Sequence, residues 1–90
     1  MTITRQVLIT NRRGLHARAS AKFVTLAATQ PCEVQVEKEA GSGVTGTSIM
    51  GLMMLGAAMG DTITISAAGE GAQDAVTALC ELVEGKFGED

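Results

Sequence analysis

The sequence predicts an α+β fold, an antiparallel sheet with helices laid across one of its faces. Two observations lead there. Apolar and polar residues alternate in three separate stretches, so each of those strands buries one side only. Helical spacing of apolar residues separates and follows them, giving the order strand, helix, strand, strand, helix, strand, helix. Helices on both faces would require strands apolar on both sides, so one covered face is the economical layout. The 90 residues suffice for a single domain, expected to span 1–90, and are too few for two.

Residues 2 to 10 alternate in part, with Ile3, Val7 and Ile9 on one face, and read as the first strand. Asn11 to Gly14 breaks that pattern. From His16 onward Ala, Lys, Phe, Val and Leu dominate, and Ala17, Ala21, Val24 and Ala28 recur at helical spacing. This helix ends before Pro31, because the residue preceding a proline disfavours helical dihedrals. Cys32, Val34 and Val36 then alternate with Glu33, Gln35 and Glu37 as a half-buried strand. Gly41, Ser42 and Gly43 supply a turn, and a short return strand to about Gly46 completes a hairpin. Thr47 or Ser48 caps a short helix through Leu55, followed by a loop from Gly56 to Gly60. Ile63, Ile65 and Ala67 alternate with Thr62, Thr64 and Ser66 as the last strand. The final helix is the clearest, with Ala72, Ala75, Val76, Leu79, Leu82 and Val83 in one stripe and Glu81 and Glu84 off it. No internal repeat or linker interrupts the chain.

Composition narrows the function classes. Hydrophobic residues make up 46% of the chain, yet Phe23 and Phe87 are the only aromatics, so aliphatic residues and Met must build the core. No apolar run approaches a membrane span and no signal-peptide pattern opens the chain, so a cytoplasmic location is the expectation. Cys32 and Cys80 fit no metal spacing and read as small core residues. The net charge of -3 conceals a segregation: Arg5, Arg12, Arg13, Arg18 and Lys22 all precede the first acid, Glu33. Such a positive field attracts phosphate groups and acidic protein surfaces. Nucleic acid is not the expected partner, since the chain is acidic overall and has no Trp or Tyr for base stacking.

Within that basic segment stands the only histidine, His16, at the mouth of the first helix, with Arg18 two residues on and no acid nearby. A neutral imidazole keeps one nitrogen lone pair near pH 7 and can act as a nucleophile. A helix N-terminus offers unpaired backbone N–H groups and the positive end of the helix dipole, both favourable to a phosphoryl group. Arg18 adds a permanently charged fork of donors that matches phosphate oxygens. Gly14 allows a tight turn just before the site. The plainer alternative is an exposed histidine beside a helix cap.

Two other motifs each admit a plain reading beside a functional one. Gly41 to Gly46 spells G-S-G-V-T-G, a formal dinucleotide fingerprint, but it lacks the strand, helix and downstream acid of a parallel βαβ unit and reads as a hairpin turn. No Ser, His and Asp set for acyl transfer is evident, no metal site is expected, and no cofactor is implied. The segment from Ser48 to Leu55 holds six apolar residues in eight, more than one face of a two-turn helix can bury. Methionine side chains repack readily against different partners, so this segment is either a docking surface or filling for an aromatic-poor core. Ser48 is either a plain N-cap or a site where phosphorylation would set charge beside that surface.

G-L-H-A-R at Gly14 to Arg18 and S-I-M-G-L-M at Ser48 to Met53 together resemble the HPr family, the histidine-containing phosphocarrier proteins of the bacterial phosphoenolpyruvate-dependent phosphotransferase system. Motif separation, length and element order match too, so the resemblance covers essentially the whole chain. It implies an open-faced β-sandwich, a four-stranded antiparallel sheet with three helices in the order βαββαβα. It implies that His16 is phosphorylated on Nδ1 by phospho-Enzyme I and passes the group to an Enzyme IIA-type acceptor, with Arg18 stabilising the phosphorylated state. Ser48 matches the regulatory site of HPr kinase/phosphorylase. By the same resemblance Ala17, Ser20, Ile49, Met50 and Met53 contact partner proteins, while Leu52 and Leu55 belong to the core. Such a protein is an intermediate in a relay, not a stand-alone enzyme, and a monomer is expected. The alternative is a regulatory binding module whose phosphorylation state switches partner complexes. Sugar-type members carry proline after the arginine; Ala19 followed by Ser20 here looks more like the nitrogen-related branch.

Overall fold

In the computed structural model, which describes residues 1–39 and 41–89, strands β1 (Thr2–Leu8), β2 (Val34–Glu37), β3 (Val44–Thr45) and β4 (Thr62–Ala68) form one antiparallel sheet in the order β1-β4-β2-β3. The last strand therefore lies between the first two. Its register runs from Thr2 opposite Ala68 to Leu8 opposite Thr62 on one side, and from Val34 opposite Ala67 to Glu37 opposite Thr64 on the other. Strict alternation places Ile63, Ile65 and Ala67 of β4, with Val34 and Val36 of β2, on the covered face. Val7 and Ile9 join them from the first segment.

Helices α1 (Ala17–Ala28), α2 (Ile49–Met54) and α3 (Ala72–Glu84) complete the expected order. The apolar stripe of α3 is buried as its spacing predicts: Ala72, Ala75, Val76, Leu79 and Val83 pack on the sheet, and Leu82 is half-buried. Helix α1 departs from the expected stripe. Its buried face consists of Ala19, Ser20, Phe23 and Ala27, while Ala17 and Ala28 are exposed. Alanines lie on several sides of this helix and discriminate poorly between faces; the large Phe23 ring, fully buried, sets the orientation. Helix α2 is held by Leu52, its one buried residue.

Cys80 is buried as expected, and burial raises its thiol pKa above the ordinary value. Cys32 is only half-buried, because the ladder of β2 starts two residues later, at Val34. After α3 the chain does not simply end in coil. Lys86–Gly88 makes a single 3₁₀ turn in which Lys86 (φ 59°) and Phe87 (φ 54°) both adopt left-handed backbone. Two consecutive non-glycine residues there cost about 1–2 kcal/mol each. The Phe87 side chain, 1% exposed, is seated in the core and offsets that strain by burial. Among the described residues no helix is long and apolar enough to cross a membrane.

Candidate functional site

His16 is the N-cap of α1, with extended backbone (φ −74°, ψ 178°) and a carbonyl that accepts the first helical hydrogen bond from Ser20 N–H at 2.9 Å. Its side chain does not cap the helix. The N–H groups of Ala17, Arg18 and Ala19 precede that first bond, so the positive end of the helix lies beside the imidazole. This is the arrangement the sequence suggests for an anion.

The loop leading in is fixed tightly. Gly14 adopts left-handed backbone (φ 61°), and a Cβ there would collide with the Ala57 carbonyl oxygen and lie 2.8 Å from Ala58 Cα. Next to it, Leu15 N–H donates to the Ala57 carbonyl at 3.0 Å. Glycine is thus required for both dihedral and space, which sharpens the expectation of a tight turn. The loop that supplies Ala57 is itself pinned by Asp61. Its carboxylate accepts from Ala58 N–H at 2.9 Å and pairs with Lys38 at 3.3 Å, and both contacts hold its pKa below the ordinary value.

The expectation that no acid stands near His16 is overturned. Glu89, 73 residues away in sequence, places its carboxylate Oε2 2.9 Å and Oε1 3.0 Å from His16 Nε2. Linear distance hid this neighbour; the left-handed turn after α3 folds it back over the site. Asn11, fully buried, braces the carboxylate. Its Nδ2 donates to Glu89 Oε1 at 2.8 Å and to the Gly14 carbonyl at 2.9 Å, using both amide hydrogens. The Asn11 donor is the largest influence holding the Glu89 carboxyl below its usual range, with the His16 contact and the nearby Lys22 charge adding to it. Lys22 also donates to the Phe87 carbonyl at 2.6 Å, tying α1 to the strained turn.

Other sequence-singled residues divide clearly. Arg18 is exposed in the first turn of α1 and has no hydrogen-bond or ion-pair partner among the described residues, so its guanidinium is available. Ala17 is exposed beside it. Ser20 is a correction: it is fully buried, and its hydroxyl donates to the Leu15 carbonyl at 3.1 Å, so it presents no surface to a partner. Ser48 caps α2, its Oγ accepting from Gly51 N–H at 2.9 Å. Ile49, Met50 and Met53 are exposed, at 41%, 73% and 45%, while Leu52 is buried and Leu55 half-buried. Met54 and Met59 are exposed as well. The functional residues that sequence reasoning missed are Asn11 and Glu89. A bulky aromatic between Gly85 and Gly88 was the one local sign that the chain turns back there.

Known proteins resemble this chain over nearly its whole length. A family model described as the PTS HPr component phosphorylation site matches residues 3–85. Phosphocarrier protein HPr of Pseudomonas aeruginosa is 44% identical over 84 residues, covering 93% of each chain. Phosphocarrier protein NPr of Shewanella violacea is also 44% identical, over 90 residues, covering 97% of this chain and 94% of that one. Identity to these two does not separate the HPr and NPr types. Among solved structures, HPr from Thermoanaerobacter tengcongensis superimposes with a TM-score of 0.91 at 39% identity, covering 98% of both chains. HPr from Bacillus anthracis gives a TM-score of 0.85 at 35% identity, covering 91% of this chain and 96% of that one. The chain belongs to the HPr family of phosphocarrier proteins of the phosphotransferase system, a membership that implies interaction with Enzyme I and Enzyme IIA proteins.

Proposed function

We propose that His16 is the residue that carries the phosphoryl group, receiving it on Nδ1 from phospho-Enzyme I and yielding it to an Enzyme IIA-type acceptor. The observation that carries this reading is the position of the imidazole as an N-cap whose side chain leaves the helix N–H groups of Ala17, Arg18 and Ala19 uncapped. A phosphoryl group on the ring would face those donors and the positive end of the helix dipole. Arg18, exposed and unpaired among the described residues, supplies positive charge to the same place. These contacts are light enough for the group to leave again, as a relay requires.

Ala17 and the α2 residues Ile49, Met50 and Met53 form the docking surface in this reading. Flexible thioethers allow one surface to fit both donor and acceptor proteins. Ser48 is the regulatory position, acted on by a kinase of the HPr kinase/phosphorylase type. Its Oγ already sits over the first turn of α2, where a phosphate would remain compatible with the helix while adding a charge of about −1.5 to −2 beside the apolar face.

Incubation with phosphoenolpyruvate and Enzyme I is expected to place an acid-labile phosphate on His16. The His16→Ala variant is expected to keep the fold and accept none. Undiminished phosphorylation of that variant would refute the assignment.

A further inference from the structure

The tail carboxylate that folds over His16 has a chemical consequence for the ring. An ionised carboxylate only accepts hydrogen bonds. With Glu89 oxygens 2.9 Å and 3.0 Å from Nε2, the imidazole proton therefore belongs on Nε2. In a neutral ring the lone pair is then on Nδ1. We propose that Glu89 is a positioning residue that selects this tautomer, so that Nδ1 is the nucleophile for phosphoryl acceptance. The proposal rests on the reading of His16 as acceptor and adds what prepares the ring for that role.

Three features show that the contact is built and not incidental. Asn11, buried and bonded to the Gly14 carbonyl, donates to the same carboxylate and fixes its orientation. The turn that delivers Glu89 runs through two left-handed non-glycine residues, Lys86 and Phe87, a conformation that persists only where its surroundings determine it. Those surroundings are the buried Phe87 ring and the Lys22 ammonium on the Phe87 carbonyl. Loop, helix and tail thus converge on one oxygen pair.

The same contact acts during transfer. The Nδ1 lone pair forms the new bond to phosphorus as the donor's bond to phosphorus breaks, and that electron pair departs with the donor. The proton on Nε2 stays in place. Positive charge grows on the ring, and Glu89 faces it directly, as a carboxylate steadies an imidazole in other histidine sites. The incoming phosphoryl oxygens stand on the far side of the ring from Glu89, so their repulsion acts over a longer distance than the 2.9 Å attraction.

Nitrogen-15 NMR of the unphosphorylated protein, at a pH where His16 is neutral, reads the tautomer directly. The wild type is expected to show a protonated Nε2 and an unprotonated Nδ1. Glu89→Ala is expected to mix the two tautomers and to slow initial acceptance from phospho-Enzyme I on the order of tenfold, the scale of a lost charge-assisted hydrogen bond. Glu89→Asp should restore part of both, which loss of a merely structural contact would not do in parallel. A wild-type ring protonated on Nδ1, a tautomer ratio indifferent to Glu89, or a shifted ratio with unchanged acceptance would each overturn the proposal. Failure of wild-type His16 to take phosphate would remove the carrier reading as well, and is distinguishable because the tautomer measurement needs no phosphate.

Discussion

The corner around His16 and the exposed face of α2 stand in sharp contrast. The corner is polar, assembled from the 11–16 loop, helix α1 and the turn after α3, and held by left-handed backbone at Gly14, Lys86 and Phe87. The α2 face is apolar, made of one six-residue helix, and anchored through Leu52 and the Ser48 cap. A phosphoacceptor must hold one ring in one orientation, so its neighbours are fixed from several directions. A surface that meets more than one partner gains from the opposite property, side chains that adapt. Rigidity and adaptability are thus divided between two adjacent regions of a 90-residue chain.

The contrast is broken most forcefully at Phe87. Replacing it with alanine removes the ring that offsets the left-handed turn, and a loss of about 3–5 kcal/mol in unfolding free energy is expected. Chemical denaturation measures this, and the Glu89 contact should loosen in the same variant. If Phe87→Ala cost no more than a surface substitution, the turn would not be held by core burial.

On the α2 face the expectation is reversed. Met50→Ala combined with Met53→Ala should change stability by about 0.5 kcal/mol or less per site, as for other exposed positions, yet slow phosphoryl transfer several-fold through weaker docking. Ser48→Asp should slow transfer in the same way by setting charge beside the apolar residues. Transfer assays with intact Enzyme I would show it, and unchanged kinetics in both variants would place docking elsewhere.

The smallest effect concerns acid. Glu89 has its carboxyl pKa lowered from 4.5 by the Asn11 donor first and by His16 next. A group with a depressed folded pKa stabilises the fold fully above its unfolded value and loses that contribution as pH falls through the folded one. The stability gap between wild type and Glu89→Gln is therefore expected above about pH 4.5 and should close below it. Thermal melts across that range test the sign; a gap that widens with acid would contradict it.

The same division explains what the sequence revealed. Strand alternation and the α3 stripe are local patterns, and both appear in the structure. The Ser48 cap, one of two candidates with Thr47, is local as well, whereas the exposure of Ile49, Met50 and Met53 is expected only through the family resemblance, the segment alone fitting a core as well as a surface. The α1 face departs from the expected stripe because several small alanines share that helix and one buried phenylalanine decides which of them turn inward, taking Ser20 into the core. Glu89 was illegible for a different reason. Its approach to His16 depends on two left-handed residues and a buried asparagine, none of which follows from propensity or periodicity.

If the Glu89 carboxylate holds Nε2, Nδ1 is left to take the phosphoryl group. Phosphorus and nitrogen NMR of the protein phosphorylated by phosphoenolpyruvate and Enzyme I identifies the bonded nitrogen directly. A single phosphoramidate on Nδ1 of His16 is the expected result. Phosphate on Nε2, the nitrogen that faces Glu89, would contradict it.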